Sequence, residues 1–364
     1  MTYEHLFAHA TLGSLHLKNK FVMSPMTRSR ATGNLPNALM ATYYGQRAGA
    51  GLIISEGTSP SPNGLGYARI PGAFNQEQAN GWHHITEAVH QKGGRIFLQL
   101  MHTGRVSHID NLPQGAEIVA PSAVPLEGEM YTDTKGMQPY PTPREMTAHD
   151  VKHAVHEFAT AAKYGIDAGF DGVELHGANG YLIEQFLSPV TNHRVDTHGG
   201  STENRARFAL EVAKAVADAI GPERTGIRLS PYGVFSGMAD YDDLEATYEY
   251  LALQLHHLGL LYIHLVNHSS MGAPEVKPSV VEKIRAAFKG PLILSGGYDA
   301  DRAEADLKSG AASLVAFGRP FLANPDFPER IKHGSPLNAP DMNTFYTPGE
   351  KGYTDYPALT KETV

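Results

Sequence analysis

Gly172-Val173-Glu174-Leu175-His176 and Gly226-Ile227-Arg228-Leu229-Ser230 are short apolar runs that end on polar or small residues. Between them, Asn204–Ile220 carries apolar residues at helical spacing. A strand, a helix and a second strand in that order read as a parallel crossover unit. The rhythm extends outward both ways. Runs at Lys20–Ser24, Gly51–Glu56 and Arg95–Leu100 precede the pair, and Tyr262–Val266, Pro291–Ser295 and Ser313–Gly318 follow it. Helical periodicity recurs at Gln78–Lys92, Ala148–Ala168, Asp242–Leu258 and Ser279–Phe288. Eight parallel strands predict an α/β protein of the closed (β/α)8 TIM barrel class, with residues 1–364 as one domain. Thr147 ahead of Asp150 marks a helix start, and Gly93-Gly94 and Gly169 mark stops. Thr11–Leu17 alternates about Gly13-Ser14, a type II′ hairpin signal, and the hairpin is placed to plug the bottom of the barrel. The Pro-rich stretch His102–Arg144, after strand three, reads as an excursion over the active-site mouth.

Composition narrows the function. Lys and Arg total 30 against 38 Asp and Glu, a formal charge of −8 without long single-sign runs. That balance argues against a nucleic-acid binder or a polybasic membrane protein. Hydrophobic residues make up 41% of the chain, enough for a large core, yet no uninterrupted apolar stretch approaches the ~20 residues of a membrane helix. The N-terminal MTYEHLFAHATLGSLHLKNK lacks the basic start, apolar run and cleavage site of a leader. A soluble, cytoplasmic protein is expected. The absence of Cys removes disulfides, thiolate nucleophiles, Cys-ligated zinc and iron–sulfur clusters.

In a barrel, the residues that end the strands face the active site. Strand one ends Ser24-Pro25-Met26-Thr27-Arg28, strand two Glu56-Gly57-Thr58, strand three Gln99-Leu100-Met101-His102 and strand four Glu174 to Asn179. Strand five offers Arg228, strand seven Ser295-Gly296-Gly297 and strand eight Phe317-Gly318-Arg319. The Gly-rich ends of strands seven and eight, with Arg319, make a phosphate grip. That grip recurs across many barrel chemistries and does not name a reaction. No strand ends in Lys, which removes a Schiff-base nucleophile. Only Glu56, with Glu174 as a weaker second, offers a carboxylate at a strand end, too few for a magnesium site. The 19 His are scattered, in pairs such as His83-His84 and His264/His268, without a shared carboxylate pattern, so no metal is expected. No G-x-G-x-x-G joins a strand to a helix. What remains, Thr27, Gln99, His176, Asn179 and Arg228, suits a flat heterocycle with carbonyl and imide edges.

These residues sit within longer motifs that resemble the old yellow enzymes, flavin-dependent ene-reductases of the N-ethylmaleimide reductase and pentaerythritol tetranitrate reductase type. The resemblance covers nearly the whole chain. It is carried by Met23 to Arg28, Tyr43 to Ala48, Gln99 to Arg105, His176 to Leu182, Gln185 to Pro189, Gly199 to Arg205, Ala316 to Pro320, Ala323 to Asp326 and Gly352 to Pro357. It implies FMN held non-covalently across the barrel mouth. Pro25, Met26 and Thr27 would lie against the isoalloxazine, with Thr27 at its O4. Gly57 and Gln99 would meet the pyrimidine edge and Arg228 the N1/O2 side. Gly296, Gly297, Gly318 and Arg319, beside Ser295 and Phe317, would hold the phosphate. Thr27, where another branch carries Cys, places the chain in the classical branch. His176 and Asn179 would donate hydrogen bonds to a carbonyl or nitro oxygen, and Tyr181 would give a proton to the α-carbon while hydride passes from N5. Tyr67, Met101 and Tyr346 would line the substrate pocket. Relatives commonly carry Trp where this chain has Met101, a thinner and more adaptable wall.

The reading is therefore an NAD(P)H-dependent alkene reductase acting on enones, maleimides and nitroalkenes in a ping-pong cycle, with NADPH or NADH as reductant. The expected partners are small molecules, and the expected assembly is a monomer or homodimer. Two alternatives remain at this point: a flavoprotein whose task is reduction of nitrate esters or quinones, and a phosphate-gripping lyase or isomerase.

Overall fold

The structure, a computed structural model, describes residues 3–359. It opens with an antiparallel hairpin of β1 (Ala10–Leu12) and β2 (Leu15–Leu17). The barrel begins with β3 (Phe21–Met23), β4 (Leu52–Ile54) and β5 (Ile96–Leu100). The excursion then carries β6 (Val119–Ala120), β7 (Glu129–Thr132), β8 (Gly136–Pro139) and β9 (Arg144–Glu145). The barrel resumes with β10 (Gly172–Gly177), β11 (Thr225–Leu229), β12 (Tyr262–Val266), β13 (Leu292–Ser295) and β14 (Leu314–Phe317). Sequential barrel strands pair in parallel, β5 bridges to β10, and β14 returns to β3 to close the sheet. All eight expected strands are present.

Closure explains why these runs are apolar almost throughout. Each strand is buried on both faces, one toward the barrel axis and one toward the helices. On the axis, Val22, Leu52, Ile54, Phe97, Tyr262, Ile293, Leu314 and Ala316 pack with Leu12 and Leu17 of the hairpin. The hairpin is the plug. Gly13 has φ 59 while Ser14 stays out of the positive region, as a type II′ turn requires. A side chain at Gly13 would also place its Cβ 2.9 Å from Leu261 Cδ1.

The periodic helices form where expected, their ends displaced by a residue or two. Thr147 and Asp150 make a reciprocal capping box ahead of Ala148–Asp167, and Gly169, at φ 95, takes the chain away at the other end. Other helices carry weaker signals. Leu182–Leu187 is buried on every side and so shows no polar face, and Ala300–Ser309 buries only Ala300, Ala303 and Leu307. The excursion does reach the mouth, as β7 and β8 form a hairpin whose Met130, Tyr131 and Met137 line the cavity there. The C-terminal segment also reaches the mouth, with Arg69 tying the Tyr346 carbonyl to the β7–β8 hairpin through Asp133 and Tyr131. Arg28 donates to the Gly352 carbonyl at 2.6 Å, Arg30 to the Thr344 and Phe345 carbonyls at 2.8 Å, and Tyr353 stacks on Tyr43 with ring centroids 4.0 Å apart.

Candidate active site

At the C-terminal ends of the barrel strands lies a cavity of about 1200 Å³. Every site residue expected from the sequence borders it. Pro25, Met26 and Thr27 enter from the end of β3, Gly57 from β4, Gln99 and Met101 from β5, and His176, Asn179 and Tyr181 from β10. Arg228 comes from β11, Ser295, Gly296 and Gly297 from β13, and Phe317, Gly318 and Arg319 from β14. Tyr67 reaches in from the loop after β4, and Tyr346 stands at the rim with 63% of its surface exposed.

The floor is built on a buried polar network. Gln99 Nε2 donates to Glu174 Oε1 at 2.8 Å, and the Tyr262 hydroxyl donates to Glu174 Oε2 at 3.0 Å. His264 places Nδ1 3.0 Å from the same oxygen and Nε2 2.9 Å from Ser295 Oγ. These bonds fix the Gln99 amide, leaving Oε1 for whatever occupies the floor. Arg228 is 6% exposed, yet its Nε has no hydrogen-bond partner among the described residues. A buried guanidinium left unpaired is costly and marks a place for an acceptor or anion. At the β13 end, Gly296 has φ 112 and Gly297 φ 65. A Cβ at Gly296 would fall 1.7 Å from the Asn267 carbonyl oxygen, so only glycine lets the chain turn there. An unpaired cation, a fixed amide and a Gly-rich turn beside Arg319 fit the edges and phosphate of FMN.

The roof holds donors in fixed states. His176 is 4% exposed, and its Nδ1 accepts from the Ala178 N–H at 3.3 Å, which leaves the proton on Nε2. Burial, reinforced by Arg228 and two neighbouring histidines, holds its pKa well below the ordinary value. His176 is therefore a neutral donor. Asn179 adopts φ 61, its N–H donating to Ser230 Oγ at 2.8 Å. Ser230 in turn donates to Glu184 at 2.8 Å, and Glu184 also accepts from the Gly180 N–H at 2.6 Å. Tyr181 meets His176 edge to face at 4.8 Å, and its hydroxyl lies 3.0 Å from that of Tyr67. Burial pushes Tyr181 up to about 12, partly offset by the bond from Tyr67.

Two carboxylates considered as strand-end ligands do not border the cavity. Glu56 is fully buried against the Tyr44 hydroxyl, and Glu174 lies below the floor in the network just described. The sequence reading passed over the end of strand six, where Asn267, His268, Ser270 and Met271 all border the cavity. The rule applied to the other strands would have found them, because His268 follows the last residue of β12 by two. Met342, Asn343 and Phe345 carried no such signal, since the C-terminal segment reaches the mouth through contacts distant in sequence, such as Arg28 to the Phe345 carbonyl and Tyr43 on Tyr353.

The family model described as the NADH:flavin oxidoreductase / NADH oxidase family matches residues 5–338. The chain is 43% identical over 354 residues to 12-oxophytodienoate reductase 1 of Oryza sativa subsp. japonica, covering 96% of this chain and 91% of that protein. Morphinone reductase superposes with a TM-score of 0.95 at 48% identity, covering 100% of this chain and 99% of the other. It is also solved in complex with tetrahydroNAD. The old yellow enzyme homologue from Zymomonas mobilis superposes with a TM-score of 0.93 at 41% identity, covering 97% and 99%.

Proposed function

The chain belongs to the NADH:flavin oxidoreductase / NADH oxidase family, that of the old yellow enzymes, and from that premise we propose that it reduces activated C=C bonds with NADPH or NADH as electron source. The chemistry supplied by bound FMN is hydride transfer, in from reduced nicotinamide and out to the β-carbon of the alkene. Pro25, Met26, Thr27, Gly57, Gln99 and Arg228 would hold its ring system, and Ser295, Gly296, Gly297, Phe317, Gly318 and Arg319 would hold its phosphate end. The observation that carries the reading is the pairing of the orphaned Arg228 Nε below with two preset donors above.

His176 Nε2–H and the Asn179 amide donate to the carbonyl or nitro oxygen of the alkene. Both bind the developing negative charge of the reduced substrate more strongly than the neutral carbonyl, which is where the rate gain arises. Because the His176 imidazole is already neutral and oriented, it need not reorganise. Tyr181 gives its proton to the α-carbon, and Tyr67 supports the resulting phenolate by donating across the 3.0 Å contact. Nicotinamide and alkene draw on the same donors, so they occupy the site in turn and the kinetics are ping-pong. No Lys borders the cavity among the described residues, which disfavours an aldolase-like lyase.

The test is the visible spectrum of the purified protein, recorded anaerobically before and after NADPH and again after 2-cyclohexenone. A yellow protein that bleaches and then recovers its colour supports cofactor, hydride entry and alkene reduction together. A protein that stays colourless after incubation with FMN overturns the reading.

A further inference from the structure

Among the groups facing the cavity, His268 has no part in the chemistry so far described, yet it makes one of the shortest side-chain contacts there. Its Nε2 lies 2.7 Å from Asn179 Oδ1. The ring is half-buried, and Phe235 packs against it edge to face at 4.6 Å. Phe235 belongs to the loop after β11, which presses on the turn carrying Asn179: a Cβ at Gly180 would meet the Phe235 carbonyl oxygen at 2.8 Å and Ser236 Cβ at 2.7 Å. Asn179 is thus gripped at two points, its backbone N–H by Ser230 of the β11 end and its side-chain oxygen by His268 beyond β12.

An asparagine side chain presents an acceptor on one side and two donors on the other, and in an unconstrained position the two faces exchange by rotation. A substrate oxygen needs the donors. We propose that His268 is a positioning residue that donates from Nε2 to Asn179 Oδ1, locking the amide with its NH2 toward the substrate oxygen. The reverse arrangement, with Asn179 Nδ2 donating to a bare His268 nitrogen, would aim Oδ1 at the same substrate oxygen and repel it. Burial, with Arg228 and His264 adding positive charge, holds His268 near pKa 4. The ring is neutral under ordinary conditions, carries one proton, and has Asn179 Oδ1 as its acceptor.

The inference rests on the alkene-reductase reading. It is tested in the FMN-loaded enzyme with cyclohexanone, a saturated ketone whose dissociation constant is read from the flavin absorption, and with KM for 2-cyclohexenone. The proteins are wild type, His268→Leu, His268→Gln, Asn179→Gly and the double variant Asn179→Gly/His268→Leu. Glycine removes the amide while tolerating φ 61. His268→Leu is expected to weaken cyclohexanone binding about tenfold, and His268→Gln, which restores a donor, to recover most of the loss. In the Asn179→Gly background His268→Leu should change binding less than about twofold, because the group it orients is gone. Equal losses in both backgrounds would mean that His268 acts by packing, and no loss in the wild-type background would mean that it does nothing; either overturns the proposal. If the wild-type enzyme binds neither ketone, the alkene-reductase reading falls with it.

Discussion

At the scale of single residues, the two tyrosines make a graded prediction. Tyr181 sits at about 12 because burial disfavours its phenolate, and the bond with Tyr67 opposes that rise. Tyr181→Phe removes the proton source and should slow alkene reduction by roughly 10²-fold, while reduction of FMN by NADPH, which needs no proton from this side, changes little. Tyr67→Phe leaves the source in place but strips its support, so stopped-flow oxidation of reduced enzyme by 2-cyclohexenone should fall by less than about tenfold. Equal losses would assign both hydroxyls to one shared structural role. Met101 supplies a second prediction. Its Sδ lies where a Cβ at residue 57 would come within 2.5 Å, so Gly57 exists in part to let this side chain lie flat along the wall. Met101→Trp fills that side of the cavity and should raise KM for bulky enones more than for 2-cyclohexenone. A uniform rise would show that the wall does not sort substrates by size.

At the scale of elements, the hairpin and the barrel divide stability from chemistry. Leu12 and Leu17 close the axis of the barrel at the end away from the site, in contact with Val22, Leu52 and Leu261. Leu12→Ala should cost about 2–5 kcal/mol, measured as a shift of the urea midpoint, with kcat unchanged in the protein that remains folded. A lost kcat at full folding would mean that the plug communicates with the mouth. The same division governs what the sequence discloses. Strands packed on both faces announce themselves as apolar runs, so all eight barrel strands were legible, and so was the glycine turn of the plug. The β7–β8 hairpin was not, because Glu129–Thr132 buries only Met130 and Thr132 and Gly136–Pro139 buries nothing, while Tyr131 and Met137 line the mouth more than half exposed, so no apolar run marks these strands. The site residues at strand ends follow from barrel geometry. Asn179 could be read from its position, but what orients it could not, since His268 becomes its partner only when β10 and β12 are brought to one rim.

At the scale of the whole molecule, the buried titratable groups set how folding responds to acid. Burial holds His102 near 3 and His268 near 4, and His176 is also displaced far downward. An unfolded chain protonates these histidines near 6.5, whereas the native state does not, so their stabilising contribution is complete above that value and is lost as pH falls. Glu56 and Glu184 act in the opposite sense. Burial raises both to about 7, so from 4.5 to 7 the native state holds protons that the unfolded chain has released, and their contribution is lost as pH rises through 7. Between pH 6.5 and 4.5 His102, His176, His268 and His264, whose pKa burial also lowers, outweigh the two carboxylates, so unfolding takes up protons on balance. Below 4.5 Glu56 and Glu184 are protonated in both states and no longer offset the histidines, while Asp150 and Asp196, which their arginine partners hold near 2, add further uptake on unfolding, so the slope steepens until His268 and His102 themselves protonate in the native state near 4 and 3. The melting temperature should therefore peak near pH 6.5, decline gently to about 4.5 and drop steeply beyond. His102→Gln, which removes a histidine that burial holds near 3, should flatten both limbs by about one proton. A melting temperature that climbs steadily from pH 6.5 down to 5, or a His102→Gln profile parallel to the wild type, would show that the burial of these groups does not govern the acid response.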